Sequence, residues 1–171
     1  MRCRKGDVAA FKELYEAYSK AMFNICLRMV SNVADAEDVL QEAFTQVFKN
    51  IGKLNDAATA PAWIKRIVVN QCLNHLRKKK VYFEEVDQND TMPEDDGVDE
   101  AWHAATVNYV KEAIEALPQG YKAVVNLYLF EDYTHKEIAN FLGITESTAK
   151  TQYMRAKEKI RQFVKEKTIT L

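Results

Sequence analysis

The chain has 171 residues, of which 47% are hydrophobic, and a formal net charge of −1. This length allows one ordinary domain or two small ones. Because no signal-peptide pattern and no apolar run of membrane-spanning length is present, we expect a cytoplasmic protein without membrane insertion.

The small net charge conceals three blocks of unequal sign. Residues 1–81 hold fourteen Lys or Arg and eight Asp or Glu, residues 82–103 hold nine acids and no base, and residues 104–171 hold ten bases and eight acids. Two positive blocks, of plus six and plus two, therefore flank an acidic bridge of minus nine. This asymmetry carries more information than the sum, which alone would argue against a nucleic-acid binder.

The three cysteines and three histidines are too scattered for a disulfide framework or a zinc site. Cys26 and Cys72 fall on apolar helix faces, which predicts buried thiols. We expect neither a metal nor a cofactor.

Helical periodicity dominates the first block, and no segment favours a strand. Asp7 can cap a first helix, whose apolar residues step by three and four and which ends near Asn32. A second helix carries an apolar stripe over residues 36–51 and is closed by Gly52. After a loop over residues 53–60, Pro61 fits the first turn of a third helix.

The second and third helices have polar faces that suit binding. The polar face of the second helix contains Asp35, Glu37, Asp38, Gln41, Glu42 and Thr45. Acids near a helix N-terminus are favoured by the helix dipole alone, so this face is either a solvated surface or a contact surface. On the third helix Trp63 accompanies cations and amides, a combination that suits unstacked bases. A place for Trp63 in the core fits the sequence equally well.

The composition changes at residues 82–103, which are acidic, contain Pro93 and Gly97, and lack a periodic apolar face. Such a segment predicts a flexible linker. Helical periodicity then returns, and Pro118 starts one of the helices that follow.

Residues 134–160 have the pattern of a helix-turn-helix. Thr134 and Glu137 can form a capping box, Gly143 can end the first helix, and Thr145 can cap the second. Between residues 145 and 167 the charge is plus four, and the first two turns of the second helix contain few apolar residues. In a helix-turn-helix the second helix enters the major groove of DNA by its N-terminal half. We therefore predict an all-α fold of two small helical domains, an N-terminal bundle over 1–81 and a four-helix helix-turn-helix domain over 104–171, joined by the acidic linker.

Three segments, in this order and with this spacing, resemble a bacterial sigma factor of the extracytoplasmic-function type, within the sigma-70 family. DAEDVLQEAF at residues 35–44 is similar to its polymerase-binding helix, and WIKRIVVNQCLNHLRK at residues 63–78 to its minus-ten recognition helix. Residues 116–160 are similar to its reader of the minus-thirty-five element. The helix-turn-helix alone also resembles that of response regulators, so the specificity comes from the combination.

The resemblance implies three sets of contacts. The clamp coiled coil of the largest subunit of core RNA polymerase would be contacted by Asp35, Asp38, Gln41, Glu42 and Phe44. The melted minus-ten strand of promoter DNA would be engaged by Lys53, Asn55, Trp63, Lys65, Arg66, Asn70, Asn74 and Arg77. The minus-thirty-five duplex would be contacted by Ser147, Thr148, Lys150, Thr151, Gln152, Arg155 and Lys157.

The resemblance also implies an anti-sigma factor as a partner and a path for the linker through the polymerase cleft, where its nine acids would mimic the charge of RNA. A solvated spacer is the alternative for the linker. Three positions depart from the family pattern: Asn74 replaces a frequent acid, Gln152 a frequent Arg, and Asp132 a frequent Gly. Asp tolerates the left-handed backbone conformation better than most residues.

Three other functions compete with this interpretation. A regulator that does not bind polymerase would leave the second and third helices without a role. An enzyme acting on nucleic acid would need paired carboxylates, a Gly-rich phosphate loop or metal-ligand spacing, and none is present. A helical adaptor without a nucleic-acid role would not retain DNA at low salt. We predict a dissociable initiation factor that binds core polymerase, recognises two promoter elements, helps to open the minus-ten region and catalyses no covalent step.

Overall fold

A computed structural model describes residues 2–79 and 106–169, and within them every regular element is a helix. The seven α-helices are α1 (Val8–Val30), α2 (Val33–Asn50), α3 (Ala60–Lys78), α4 (Thr106–Ala116), α5 (Gln119–Leu129), α6 (His135–Leu142) and α7 (Glu146–Ile169). Within these ranges, no helix is both long and apolar enough to cross a membrane.

The contacts divide the chain into two compact units, with the division after Lys80. Unit 1 contains α1 to α3, and unit 2 contains α4 to α7. The predicted all-α architecture with two helical regions is thus confirmed. The acidic linker predicted at residues 82–103 lies outside the described residues.

Side-chain caps set the beginnings of α1 and α2. The carboxylate of Asp7 accepts from the backbone N–H groups of Ala9 and Ala10 at 3.0 and 3.2 Å, which confirms it as a cap. Its pKa is lowered first by a hydrogen bond from Arg2 and then by the backbone bond from Ala10. The side chain of Asn32, expected to mark the end of α1, accepts from the backbone N–H of Asp35 at 3.0 Å and so begins α2.

The connection between α2 and α3 differs from its prediction. Gly52 does not close α2, because the helix ends at Asn50 and a 3-10 turn, Ile51–Lys53, follows directly. A second 3-10 turn, Ala57–Thr59, occupies part of the predicted loop. Helix α3 begins next to it, with Pro61 in its first turn as expected.

The core of unit 1 lies where each of its three helices packs on the other two. Cys26 and Cys72 are completely buried, as their apolar positions predicted. Phe44 is 2% exposed, and its ring meets the edge of Tyr15 with 4.8 Å between centroids. Phe44 thus lies at the centre of the core, and its contact with the polymerase clamp, which the resemblance implied, stays a prediction.

In unit 2, helix α7 packs against α4, α5 and α6. One buried cluster consists of Ala113, Ile114, Leu117, Val125, Ala156 and Ile160. Lys122 is also buried, and its ammonium donates to the carbonyl oxygen of Glu115 at 2.7 Å and to its carboxylate at 3.0 Å. A buried charge is tolerated when it is paired and hydrogen-bonded in this way.

Candidate functional site

The polar face of α2 forms one side of an open groove. Asp38, Gln41 and Glu42 are exposed, and Gln41 and Glu42 lie three and four residues after Asp38, so both share its face of the helix. The groove is lined by Asp38, Gln41, Glu42, Thr45, Gln46 and Gln71. It offers carboxylate and amide groups at the surface, which suits a polar or basic partner.

Two groove residues were missed in the sequence. Gln46 lies four residues after Glu42, and this helical spacing could have revealed it. Gln71 comes from α3, so its place in the groove depends on how α3 packs against α2. Nothing in the local sequence around Gln71 indicates that packing.

Asp35 does not line the groove, because its carboxylate contacts residues at the end of α3. Its carboxylate accepts from the ammonium of Lys79 at 2.5 Å, and its other oxygen is 3.5 Å from Nε2 of His75. The hydrogen bond from Lys79 is the main cause that lowers the pKa of Asp35. The structure therefore brings Asp38, Gln41 and Glu42 together, but it places Asp35 against α3 and Phe44 in the core.

A second surface runs along α3. Arg66, Asn70, Asn74 and Arg77 are all exposed, and steps of four and three residues place them on one face of the helix. The guanidinium of Arg77 donates to the side-chain oxygen of Asn74 at 3.2 Å. At position 74, where the family often has an acid, the amide thus supplies an acceptor for Arg77 without a charge. We call these four residues the stripe on α3. Lys65, beside them in the sequence, is half-buried.

Trp63 connects this surface to the segment before α3. The ring is partly buried and packs against the cluster of Ile51, Leu54 and Ala60. Lys53 and Asn55, from the same segment, are exposed. Trp63 is therefore neither fully in the core nor fully available for stacking, since one part of it supports the segment that carries Lys53 and Asn55.

In unit 2 the helix-turn-helix has the predicted caps. Thr134 and Glu137 form both hydrogen bonds of the capping box. Gly143 has a φ of 73° and its N–H donates to the carbonyl of Ala139 at 2.8 Å, which ends α6. The hydroxyl of Thr145 accepts from the N–H of Thr148 at 3.0 Å at the start of α7. In the turn before α6, Asp132 has a φ of 59°, as expected for a residue that replaces Gly.

The exposed face of α7 is narrower than predicted. Ser147 and Lys150 are exposed, whereas Thr148 and Gln152 are 8% and 3% exposed. Thr148 and Gln152 were expected to contact DNA, but their spacing of four residues places them together on the packed side of α7. Their burial gives no support to a DNA contact, which stays a prediction for these two residues.

The other predicted contacts on α7 are partly accessible. Thr151, Arg155 and Lys157 are half-buried, and the hydroxyl of Thr151 donates back to the carbonyl of Ser147 at 2.9 Å. That bond leaves the oxygen of Thr151 available as an acceptor. Lys150, Arg155 and Lys157 place positive charge on the accessible surface of α7, which suits DNA phosphate.

His135, at the start of α6, was not assigned a role from the sequence. Its ring stacks on Tyr128 with centroids 4.5 Å apart and lies 5.5 Å from the ring of Tyr153. Burial lowers its pKa, the positive charge of Lys150 lowers it further, and Glu146 opposes that effect. The surroundings of His135 in the helix-turn-helix therefore disfavour its protonated form.

Within residues 2–79 and 106–169, no group of three or more His, Cys, Asp or Glu side chains is arranged to hold a metal ion. The structure thus offers three polar or basic surfaces: the groove on α2, the stripe on α3 and the exposed face of α7.

Comparison with known proteins gives matches over both units. The family model for sigma-70 region 2 matches residues 14–81, and the model for sigma-70 region 4 matches residues 108–160. The extracytoplasmic-function sigma factor SigW of Bacillus subtilis is 28% identical over 95% of this chain and 93% of its own length. SigM of Mycobacterium tuberculosis is 27% identical over 93% of this chain and 79% of its own length.

A solved structure supports the same fold. The sigma factor RpoE of Bartonella quintana, crystallised in complex with the anti-sigma factor NepR, superposes with a TM-score of 0.59 at 17% sequence identity. The match covers 92% of this chain and 98% of that chain.

Proposed function

Since this chain belongs to the sigma-70 family, as a promoter-recognising transcription initiation factor of the extracytoplasmic-function type, we propose a division of labour among its three surfaces. The groove on α2 binds core RNA polymerase. The stripe on α3 engages the minus-ten element as it opens, and the exposed face of α7 holds the minus-thirty-five element as duplex. The factor catalyses no covalent step.

The groove on α2 suits the clamp coiled coil of the largest polymerase subunit as its partner. Asp38 and Glu42 supply exposed negative charge, and Gln41, Gln46 and Gln71 supply amides that both donate and accept. Complementary charge accelerates the encounter and sets the orientation of binding. We therefore expect a helix with basic residues to occupy the groove.

The stripe on α3 suits a strand whose bases are leaving the stack. Arg66 and Arg77 can meet backbone phosphate, while Asn70 and Asn74 can hydrogen-bond with base edges. Lys53 and Asn55 are exposed, and the buried residue between them belongs to the cluster against which Trp63 packs, so this segment is proposed to receive an unstacked base. Opening costs free energy, and contacts made only with the opened strand repay it.

The exposed face of α7 suits duplex DNA. Ser147 and Lys150 lie in the N-terminal half of the second helix of the helix-turn-helix, the part that reaches base edges. Arg155 and Lys157 follow along the helix and suit phosphate. Thr148 and Gln152 are left out of this proposal because they are buried.

The single observation that carries the proposal is the pairing of an acid-and-amide groove on α2 with a base-and-amide stripe on α3 in one three-helix unit. A DNA-binding regulator would need only the second of these surfaces. The proposal includes an anti-sigma factor that covers these surfaces, by analogy with the RpoE complex, and a cytoplasmic location together with the polymerase.

Run-off transcription with core polymerase on a randomised promoter pool tests the proposal as a whole. We expect selection of two sequence elements separated by a constant spacing, and transcripts that depend on the added chain. If no motif is selected and no transcript appears, the proposed function is refuted.

Variants test the role of the groove. Asp38→Asn combined with Glu42→Gln should weaken binding to core polymerase several-fold, measured by fluorescence anisotropy in the absence of DNA. The matched control is Glu13→Gln combined with Glu16→Gln, which also removes two exposed acids, from α1 of the same unit, and should leave the affinity unchanged. Equal loss in both variants would mean that net charge, and not the groove, attracts the polymerase.

A further inference from the structure

Asp35 uses its carboxylate within the chain. One oxygen accepts a hydrogen bond from the ammonium of Lys79 at 2.5 Å, and the other is 3.5 Å from Nε2 of His75. The side chain of Asp35 is 23% exposed, whereas Asp38 and Glu42 on the same helix are largely exposed. Asp35 thus differs in environment from the acids of the groove.

The contact joins two helix ends that are 44 residues apart in the sequence. Asp35 is in the first turn of α2, and Lys79 is the residue that caps the C-terminus of α3. The backbone N–H of Lys79 donates to the carbonyl of His75 at 3.1 Å, so Lys79 is itself part of the last turn of α3. An acid at a helix N-terminus and a base at a helix C-terminus are also favoured by the respective helix dipoles.

The last turn of α3 carries part of the DNA-facing stripe. Asn74 and Arg77 are on this turn or directly before it, and their side chains hydrogen-bond to each other at 3.2 Å. Terminal turns of helices are the parts that open most easily, because their last carbonyl groups lack partners within the helix. A contact at Lys79 therefore holds the turn that presents Asn74 and Arg77.

We propose that Asp35 is a positioning residue for the minus-ten contact: by holding Lys79 it fixes the last turn of α3, and it does not bind the polymerase. The proposal rests on the function proposed above. It changes the role that the resemblance implied for Asp35, and it assigns a role to Lys79, which had none.

The size of the expected effect follows from the exposure of the pair. Lys79 is 53% exposed, and an ion pair of this kind adds little to the global free energy of unfolding. Loss of Asp35 should therefore loosen one helix end without unfolding unit 1. A selective defect in binding the minus-ten strand is expected, with the fold intact.

The experiment compares Asp35→Asn, Lys79→Met and the double variant as full chains in complex with core polymerase. The matched control is Lys78→Met, which removes an exposed cation from the neighbouring position without contacting Asp35. Two affinities are measured by anisotropy: that of the chain for core polymerase, and that of the holoenzyme for a single-stranded minus-ten oligonucleotide. Hydrogen exchange at residues 75–79 is measured in the free chain.

We expect Asp35→Asn and Lys79→Met each to lower the affinity for the single strand about threefold, the order of magnitude of one partly exposed ion pair. The double variant should be no worse than either single variant, because both remove the same contact. Lys78→Met should act only through its charge, so its effect should add to that of Asp35→Asn. Exchange at residues 75–79 should be faster in both single variants.

The opposite pattern would overturn the inference. If Asp35→Asn weakens binding to core polymerase while exchange at residues 75–79 is unchanged, Asp35 is a direct polymerase contact. Additive effects of Asp35→Asn and Lys79→Met would also contradict a role of the contact between Asp35 and Lys79. If the wild-type chain fails to bind polymerase at all, the proposed function fails, whereas faster exchange in Asp35→Asn alone would still establish the contact between the two helix ends.

Discussion

At the scale of single residues, His135 links stability to pH. Its ring is stacked on Tyr128, and no described residue hydrogen-bonds to its buried Nδ1. Burial and the charge of Lys150 lower its pKa below the ordinary value of about 6.5. In the unfolded chain the same histidine takes up a proton at that ordinary value.

The sign of the pH dependence follows from this difference in proton binding. Below about pH 6.5 the unfolded chain binds a proton that the folded chain does not, so the free energy of unfolding falls as the pH falls through this window. Urea unfolding between pH 5 and 7.5 should show this slope for the wild type, and His135→Phe should reduce it because the ring stays and the titration disappears. His135→Gln is the control, since it should also reduce the slope but lose stability at neutral pH together with the stacking. An unchanged slope in His135→Phe would show that other groups dominate the titration.

At the scale of elements, the turn between α6 and α7 depends on one glycine. Gly143 has a φ of 73°, and a Cβ added there would meet no atom within 4 Å. Substitution therefore costs backbone strain and causes no clash. The angle between the two helices of the helix-turn-helix relies on this residue.

Gly143→Ala should lower the free energy of unfolding by about 1–2 kcal/mol, the cost of placing an L-residue in the left-handed region. Gly143→Asn should cost less, because Asn visits this region more readily. Gly52→Ala is the matched control, since its added Cβ also meets open space but its φ is outside the left-handed region. Urea unfolding measures all three, and equal effects of Gly143→Ala and Gly52→Ala would contradict the strain argument.

The elements themselves were predictable because their signals are local. Apolar spacing within one helix predicted α1, α2 and α3, and the capping box of Thr134 predicted the start of α6. The left-handed turn at Asp132 was predictable for the same reason, since it needs only the tolerance of one residue type.

The candidate site was predictable only in part, because burial depends on neighbours. Thr148 and Gln152 have polar side chains that suggested a DNA contact, yet they face the packed side of α7. Phe44 was included because the whole segment of residues 35–44 matches, although one face of that segment packs in the core along its full length. The contact of Asp35 with Lys79 spans 44 residues, and no local pattern indicates which residues meet over such a distance.

At the scale of the whole molecule, the charge distribution predicts how strongly the free chain binds DNA of any sequence. Unit 1 and unit 2 carry basic stripes on α3 and α7, while the nine acids of residues 82–103 bring the formal net charge down to −1. Negative charge in the same chain reduces the attraction of phosphate through the overall field. We therefore expect these acids to act against nonspecific DNA binding by the free chain.

Replacing all nine acids with Asn or Gln would keep the length of the segment and raise the formal net charge from −1 to +8. We expect the free variant to bind a nonspecific duplex more tightly than the wild type at low salt, with the difference shrinking as salt is added, because the attraction is electrostatic and screened. Fluorescence anisotropy at two salt concentrations measures both effects.

The control variant exchanges each Asp for Glu and each Glu for Asp, which preserves the charge and should bind as the wild type does. If the neutral variant binds nonspecific duplex no better than this control, the acids do not restrain the basic surfaces. Promoter escape in run-off transcription then distinguishes a role inside the polymerase, which the neutral variant would disturb, from a solvated spacer, which it would not.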